Sequence, residues 1–141
     1  MATIYTIGFA GKKQDQFMEI LDATGMRLLI DIRLWRASRF VPWASGANLE
    51  VVLGGRCRYM PELAPTKELL AGYKDGAISW AEYEKIFNGI LAERKIETLF
   101  ASADKLDRVC FLCAEKLPAQ CHRRLVAEYL AQHFDVSITH L

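Results

Sequence analysis

Five side chains able to do chemistry fall between Cys113 and Arg123: the Cys113 and Cys121 thiols, the Glu115 carboxylate, the His122 imidazole and the Arg123 guanidinium. An ionised thiol is a nucleophile, an imidazole moves protons, and a guanidinium grips phosphate or carboxylate through paired N–H donors. An apolar run, Val109 to Cys113, leads into this block, and an amphipathic run, Leu125 to Phe134, leads out of it. Those patterns predict a strand, a loop and a helix, and in parallel α/β folds ligands gather at such junctions.

Cys121 falls in the first turn of the predicted helix, where unpaired N–H groups and the dipole favour a thiolate. Two readings of it stand: a nucleophile, and a thiol packed inward with Leu125 one turn later. His122 and Arg123 at a helix start fit an anion site. Glu115 reads as a general base, as a support for His122, or as half of a salt bridge with Arg123. Cys110 and Cys113 have the spacing of a zinc or redox pair, but positions three apart on a strand point to opposite faces. Adding Cys121 and His122 matches no standard structural zinc pattern, so no metal is expected. Cys110 and Cys57 read as core thiols.

A second segment converges on the same place. Asp31 and Arg33 flank Ile32 at the carboxyl end of another predicted strand, and alternation puts both on one face. In a parallel sheet that end shares an edge with Cys113 and Glu115, which predicts one cleft; the rival reading is a structural Asp–Arg pair. Residues 33 to 43 hold three arginines, three aromatics and no acid. Arginines suit phosphates and aromatic faces suit stacked bases, although the aromatics could equally tuck the loop onto the core. Gly8 and Gly11 could cradle an anion but form no dinucleotide fingerprint. His140 ends the last predicted strand and could reach this edge.

The elements that must position these groups follow from periodicity. Thr3 to Ile7 reads as a strand, Phe17, Ile20, Leu21 and Thr24 as one helix face closed by Gly25, and Arg27 to Ile32 as a second strand. Together these form a βαβ unit with a right-handed crossover. A short helix at Asn48 to Leu53, a third strand at Arg56 to Met60 and a helix at Thr66 to Tyr73 come next. Ser79 and Glu82 form a capping box ahead of a helix carrying Tyr83, Ile86, Phe87, Ile90 and Leu91. Val109 to Cys113 is the fourth strand, Pro118 fits the first position of the next helix, and Val136 to Thr139 closes the chain. The expected architecture is a three-layer α/β sandwich with a mainly parallel central sheet of about five strands, a single domain over residues 1–141.

Composition sets outer bounds. The 141 residues are 52% hydrophobic and 25% charged, ordinary for a soluble globular protein. A formal net charge of +1 gives no global pull toward nucleic acid or membrane. The N-terminus lacks a secretory signal, no apolar run approaches the ~20 residues that span a bilayer, and four cysteines without an export signal suit a reducing cytoplasm.

The chain resembles the DUF488 family, a domain of unknown function. The likeness rests on Thr6-Ile7-Gly8, on Asp31-Ile32-Arg33 with Ser38-Arg39, and on Tyr59 before a leucine-containing loop. It continues through Cys113-Ala114-Glu115 with Pro118, Cys121-His122-Arg123 and the closing His140-Leu141. The resemblance implies a Rossmann-like α/β domain and adds Ser38 and Tyr59 to the substrate-binding candidates, without supplying an activity or a cofactor. Family members usually carry a histidine and a small polar residue after Thr-Ile-Gly; this chain has Phe9 and Ala10.

The resulting expectation is a hydrolase or transferase acting on a small phosphate-bearing or nucleotide-like anion. Cys121 or Asp31 would attack, Glu115 and His122 would move protons, and Arg33, Arg39 and Arg123 would hold the anion with Gly8, Ser38 and Tyr59. The alternative is a nucleotide or single-stranded nucleic-acid binding module, with Trp35 and Trp43 stacking on bases. A sulfur-transfer or redox protein ranks third, because the cysteine loop of rhodanese-like domains is missing.

Overall fold

The computed structural model describes residues 1–141. Five strands, β1 (Ala2–Gly8), β2 (Leu28–Asp31), β3 (Cys57–Tyr59), β4 (Val109–Cys113) and β5 (Val136–His140), pair in the order β3-β2-β4-β1-β5, and every pairing is parallel. Their central members are apolar on both sides, as a sheet covered on both faces requires: all five residues of β4 are buried.

The helices α1 (Gln14–Thr24), α2 (Gly46–Leu53), α3 (Lys67–Lys74), α4 (Trp80–Arg94), α5 (Ala103–Leu106) and α6 (His122–His133) distribute by a handedness argument. The steps β1 to β2 and β2 to β3 run one way across the sheet; β3 to β4 and β4 to β5 run the other way. Right-handed crossovers in opposite directions place their helices on opposite faces. Accordingly Phe17, Leu21, Leu49 and Leu53 of α1 and α2 pack with Ile7, Leu29, Cys110 and Leu112 on one face. Leu69, Tyr83, Phe87, Leu91, Leu125, Val126 and Leu130 pack with Ile4, Ile30, Phe111 and Val109 on the other. The result is the three-layer, Rossmann-like sandwich expected from the sequence, with an all-parallel sheet.

Local signals act where they were read. Gly25 closes α1 in the left-handed conformation at φ 66°. Ser79 Oγ accepts from Glu82 N at 3.1 Å while Glu82 Oε1 accepts from Ser79 N at 3.3 Å, completing the capping box of α4. One boundary moves. Cys121 N–H donates to the Pro118 carbonyl at 3.2 Å, but Cys121 itself is extended at φ −137° and ψ 139°. The turn opened by Pro118 therefore stops, and α6 starts at His122 with Cys121 as its N-cap. No helix is long and apolar enough to cross a membrane.

Candidate functional site

β1 and β4 lie side by side, and the chain leaves them toward opposite faces, which is where parallel α/β sheets usually open a ligand crevice. Here that crevice is zipped shut. Phe9 N and Ala10 N donate to the Cys113 and Ala114 carbonyls at 3.3 and 2.9 Å, continuing the ladder past the strand ends. Arg123, fully buried, donates to the Glu115 and Lys116 carbonyls and so ties the loop after β4 to α6. Gly8 is required for this closure: a Cβ there would collide with the Glu115 carbonyl and the Arg123 guanidinium.

The open space lies between the ends of β2 and β4, under α3 and α4. A cavity of about 250 Å³ is lined there by Cys113, Cys121 and His122, with Arg33, Glu115 and the aromatic residues Trp35, Tyr73, Trp80 and Tyr83. Trp80 and Tyr83 stack with centroids 4.8 Å apart and planes at 15°, one turn of α4 setting both on the same side. The Tyr73 hydroxyl donates to Gln120 Oε1 at 3.1 Å, joining α3 to the loop before α6. Arg124 bridges Glu84 of α4 and Glu128 of α6 at 3.0 and 2.9 Å, which holds the two helices in register below the cavity.

Three groups at its base are in direct contact. Cys121 donates its S–H to Cys113 Sγ at 2.8 Å, and Cys113 Sγ lies 3.5 Å from His122 Nδ1. His122 Nε2 is 2.7 Å from the Ile32 carbonyl, which can only accept, so Nε2 carries a proton and Nδ1 is the nitrogen that titrates against the thiol. The Phe87 ring meets His122 edge-on at 5.7 Å and fixes its plane.

The electrostatics follow this geometry. Donation from Cys121 is the largest influence on Cys113, and with His122 and the Glu115 N–H it outweighs burial and holds that thiol well below the ordinary range. Cys121 moves the opposite way, pushed up by giving its proton to Cys113 and then by burial. Burial pulls His122 down, but the Cys113 charge and hydrogen bond raise it above the usual imidazole value. Burial first, then the two neighbouring thiols, push Tyr83 up, leaving it a neutral phenol. Cys113, Cys121 and His122 thus form one proton-sharing unit. Their ligand atoms also lie within 4.8 Å of one another, a spacing a thiophilic metal could use.

Of the residues singled out in the sequence, Arg33, Glu115, Cys121 and His122 line this cavity; Asp31, Gly8, Ser38, Arg39, Tyr59 and Arg123 do not. Asp31 is fully buried at the end of β2 and accepts from Arg33 Nε and Nη2 at 2.9 and 2.8 Å and from Arg36 Nε at 2.9 Å. Burial would raise its carboxyl, but the two guanidiniums hold it below the usual carboxylate range. Arg36 also meets Glu50 at 2.8 Å and sits 4.3 Å above the Tyr59 ring, and Arg33 packs 5.3 Å from the Phe9 ring. Ser38 Oγ accepts from Val41 N at 3.1 Å within its own loop, and exposed Arg39 lies over Phe40. Thr6 and His140 bond to each other at 2.6 Å across β1 and β5. Sequence reasoning missed the stacked Trp80–Tyr83 pair of the lining, because its helical spacing reads as ordinary core, which is where Phe87 one turn on does lie.

The family model described as domain of unknown function DUF488 matches residues 13–130 of this chain. The chain belongs to the DUF488 family. No curated protein and no solved structure matches it. The matched span takes in the cavity residues from Arg33 to His122, ends within α6 at residue 130, and stops short of β5.

Proposed function

We propose that this DUF488 chain is a thiol-dependent transferase or hydrolase acting on a small, planar, phosphate-bearing substrate of the nucleotide-like class. The observation that carries this reading is Cys113 Sγ, held between the Cys121 S–H and His122 Nδ1 in the wall of an aromatic cavity. Cys113 is the nucleophile in this reading, because the shared proton sits on Cys121 and leaves the charge on its neighbour. His122 stores the proton, and Glu115, whose carboxylate is exposed beside the cavity, serves the leaving group. Trp80 and Tyr73 supply stacking faces, and Lys74, an exposed cation of the lining, supplies charge for an anionic end. The unit is one α/β domain over residues 1–141, and its four free cysteines suit a reducing cytoplasm.

Iodoacetamide labelling at neutral pH, read by peptide mapping, tests the assignment. Cys113 should react at least ~10-fold faster than Cys110, whose thiol burial pushes up, and a nucleoside monophosphate should slow it. Equal, slow labelling of Cys113 and Cys110 removes the nucleophile. A second reading, nucleotide or single-strand binding without catalysis, is favoured by Trp35, 60% exposed in the loop that carries Arg36 and Arg39. It requires salt-sensitive quenching of tryptophan fluorescence and no turnover.

A further inference from the structure

We infer that Cys113 and Cys121 form a reversible peroxide-sensing pair, in which Cys113 is oxidised and Cys121 captures it as an intramolecular disulfide. The inference rests on the Cys113 nucleophile of the proposed function and adds a regulation of the same site. The two sulfurs are already 2.8 Å apart, against about 2.05 Å in a disulfide, so bond formation asks for a shift of less than ~1 Å. Both cysteines line the cavity, whose volume of about 250 Å³ exceeds that of a peroxide molecule.

The surrounding structure keeps the pair together. Cys113 ends β4, paired on both sides by β1 and β2, and Cys121 caps α6. Arg123 binds the Glu115 and Lys116 carbonyls, so the segment between the two cysteines is anchored to the helix that carries the second one. The ordering entropy of closing this short loop is therefore met by the fold before any oxidant arrives. The other thiols are placed differently. Cys110 is fully buried on the opposite face of the sheet, and half-buried Cys57 has its thiol pushed up to about 11 by burial.

The chemistry balances with hydrogen peroxide as the oxidant. The Cys113 thiolate attacks one peroxide oxygen, the O–O bond breaks, and the departing hydroxide takes the proton of His122 Nδ1 and leaves as water. Cys113 is then a sulfenic acid. Cys121 gives its proton to the now neutral His122 and attacks the Cys113 sulfur. The S–O bond breaks, and the second hydroxide leaves as water with that same proton. The two sulfurs have together lost two electrons, peroxide has been reduced to two waters, and a thiol reductant reverses the change by exchange.

The test treats the full chain with one equivalent of hydrogen peroxide, followed by alkylation and peptide mapping. The expected result is a linked Cys113–Cys121 peptide lighter by two hydrogens, with both thiols recovered after dithiothreitol. In Cys121→Ser and Cys121→Ala, Cys113 should instead accumulate as a dimedone-reactive sulfenic acid. Full alkylation of Cys113 and Cys121 after peroxide has consumed Cys57 overturns the inference. So does a sulfenic acid that persists at Cys113 in the unmodified chain, a result that needs no variant to fold. Rapid, nucleotide-protected labelling of Cys113 without a disulfide leaves the proposed function standing and removes the pair. A disulfide without nucleotide protection does the reverse.

Discussion

Two clusters of charged and polar side chains sit at neighbouring strand ends on the carboxyl edge of the sheet, and they are built on opposite terms. At the end of β2, Asp31 meets Arg33 and Arg36, and Arg36 goes on to Glu50. Every charge there is matched by a fixed opposite charge whose protonation does not change near neutrality. At the end of β4, the side chains that meet Cys113, those of Cys121 and His122, can both give up or take a proton, and all three residues line the cavity. The first cluster pairs its charges with one another; the second lines a cavity and, in the proposed function, supplies a nucleophile and a proton store. A buried polar cluster becomes a reactive site when its partners can change state, and becomes scaffold when they cannot.

The sharpest way to break this contrast is Cys113→Ser. It should eliminate the fast-alkylating thiol and lower any turnover by roughly 1,000-fold or more, with little change in the urea midpoint. Asp31→Ala should do the opposite. It leaves two guanidiniums without their carboxylate in a buried place and should cost about 3–5 kcal/mol of stability by urea titration, with the Cys113 alkylation rate of the folded protein nearly unchanged. If Asp31→Ala leaves stability intact, the scaffold half of the comparison fails.

Smaller effects sharpen it. His122→Asn keeps a side chain able to hydrogen-bond but removes the proton store, so Cys113 alkylation near pH 7 should slow roughly 10- to 100-fold. Acid should separate the clusters as well. The Asp31 carboxyl is held low in the fold, so its stabilisation is complete above its unfolded value of about 3.9 and is lost only as pH falls through the depressed one. The Cys113 rate should instead hold at neutral pH, below the ordinary thiol range, and fall as pH drops through its own lowered value. An alkylation profile centred near the ordinary thiol pKa of about 8.5 would contradict the shared-proton arrangement.

Particular residues show how much was legible. The apolar run Val109 to Cys113 and the Ser79/Glu82 capping box name their elements because both signals are local, set by neighbours within one turn or one strand. Strand alternation likewise separates Cys110 from Cys113, and the two do end on opposite faces. The fate of the arginines was not legible. Arg123 looks like an anion clamp in sequence, yet it is folded onto two carbonyls of the loop before it. That outcome depends on Gly8, more than a hundred residues away, leaving room for it. The Trp80–Tyr83 wall escaped notice because helical spacing says which face a residue occupies but not whether that face meets core or cavity.

By itself the sequence determined the sandwich, since periodicity of apolar residues and right-handed crossovers leave few other ways to bury these segments. It also determined that the end of β4 and the start of α6 would meet at one edge. Which sulfur would hold the charge depends on tertiary contacts, and the proposed function assigns it to Cys113. Cys121 has the helix start and the neighbouring arginines in its favour, but a proton goes where the through-space partners put it. The S–H of Cys121 and the Nδ1 of His122 both point to Cys113.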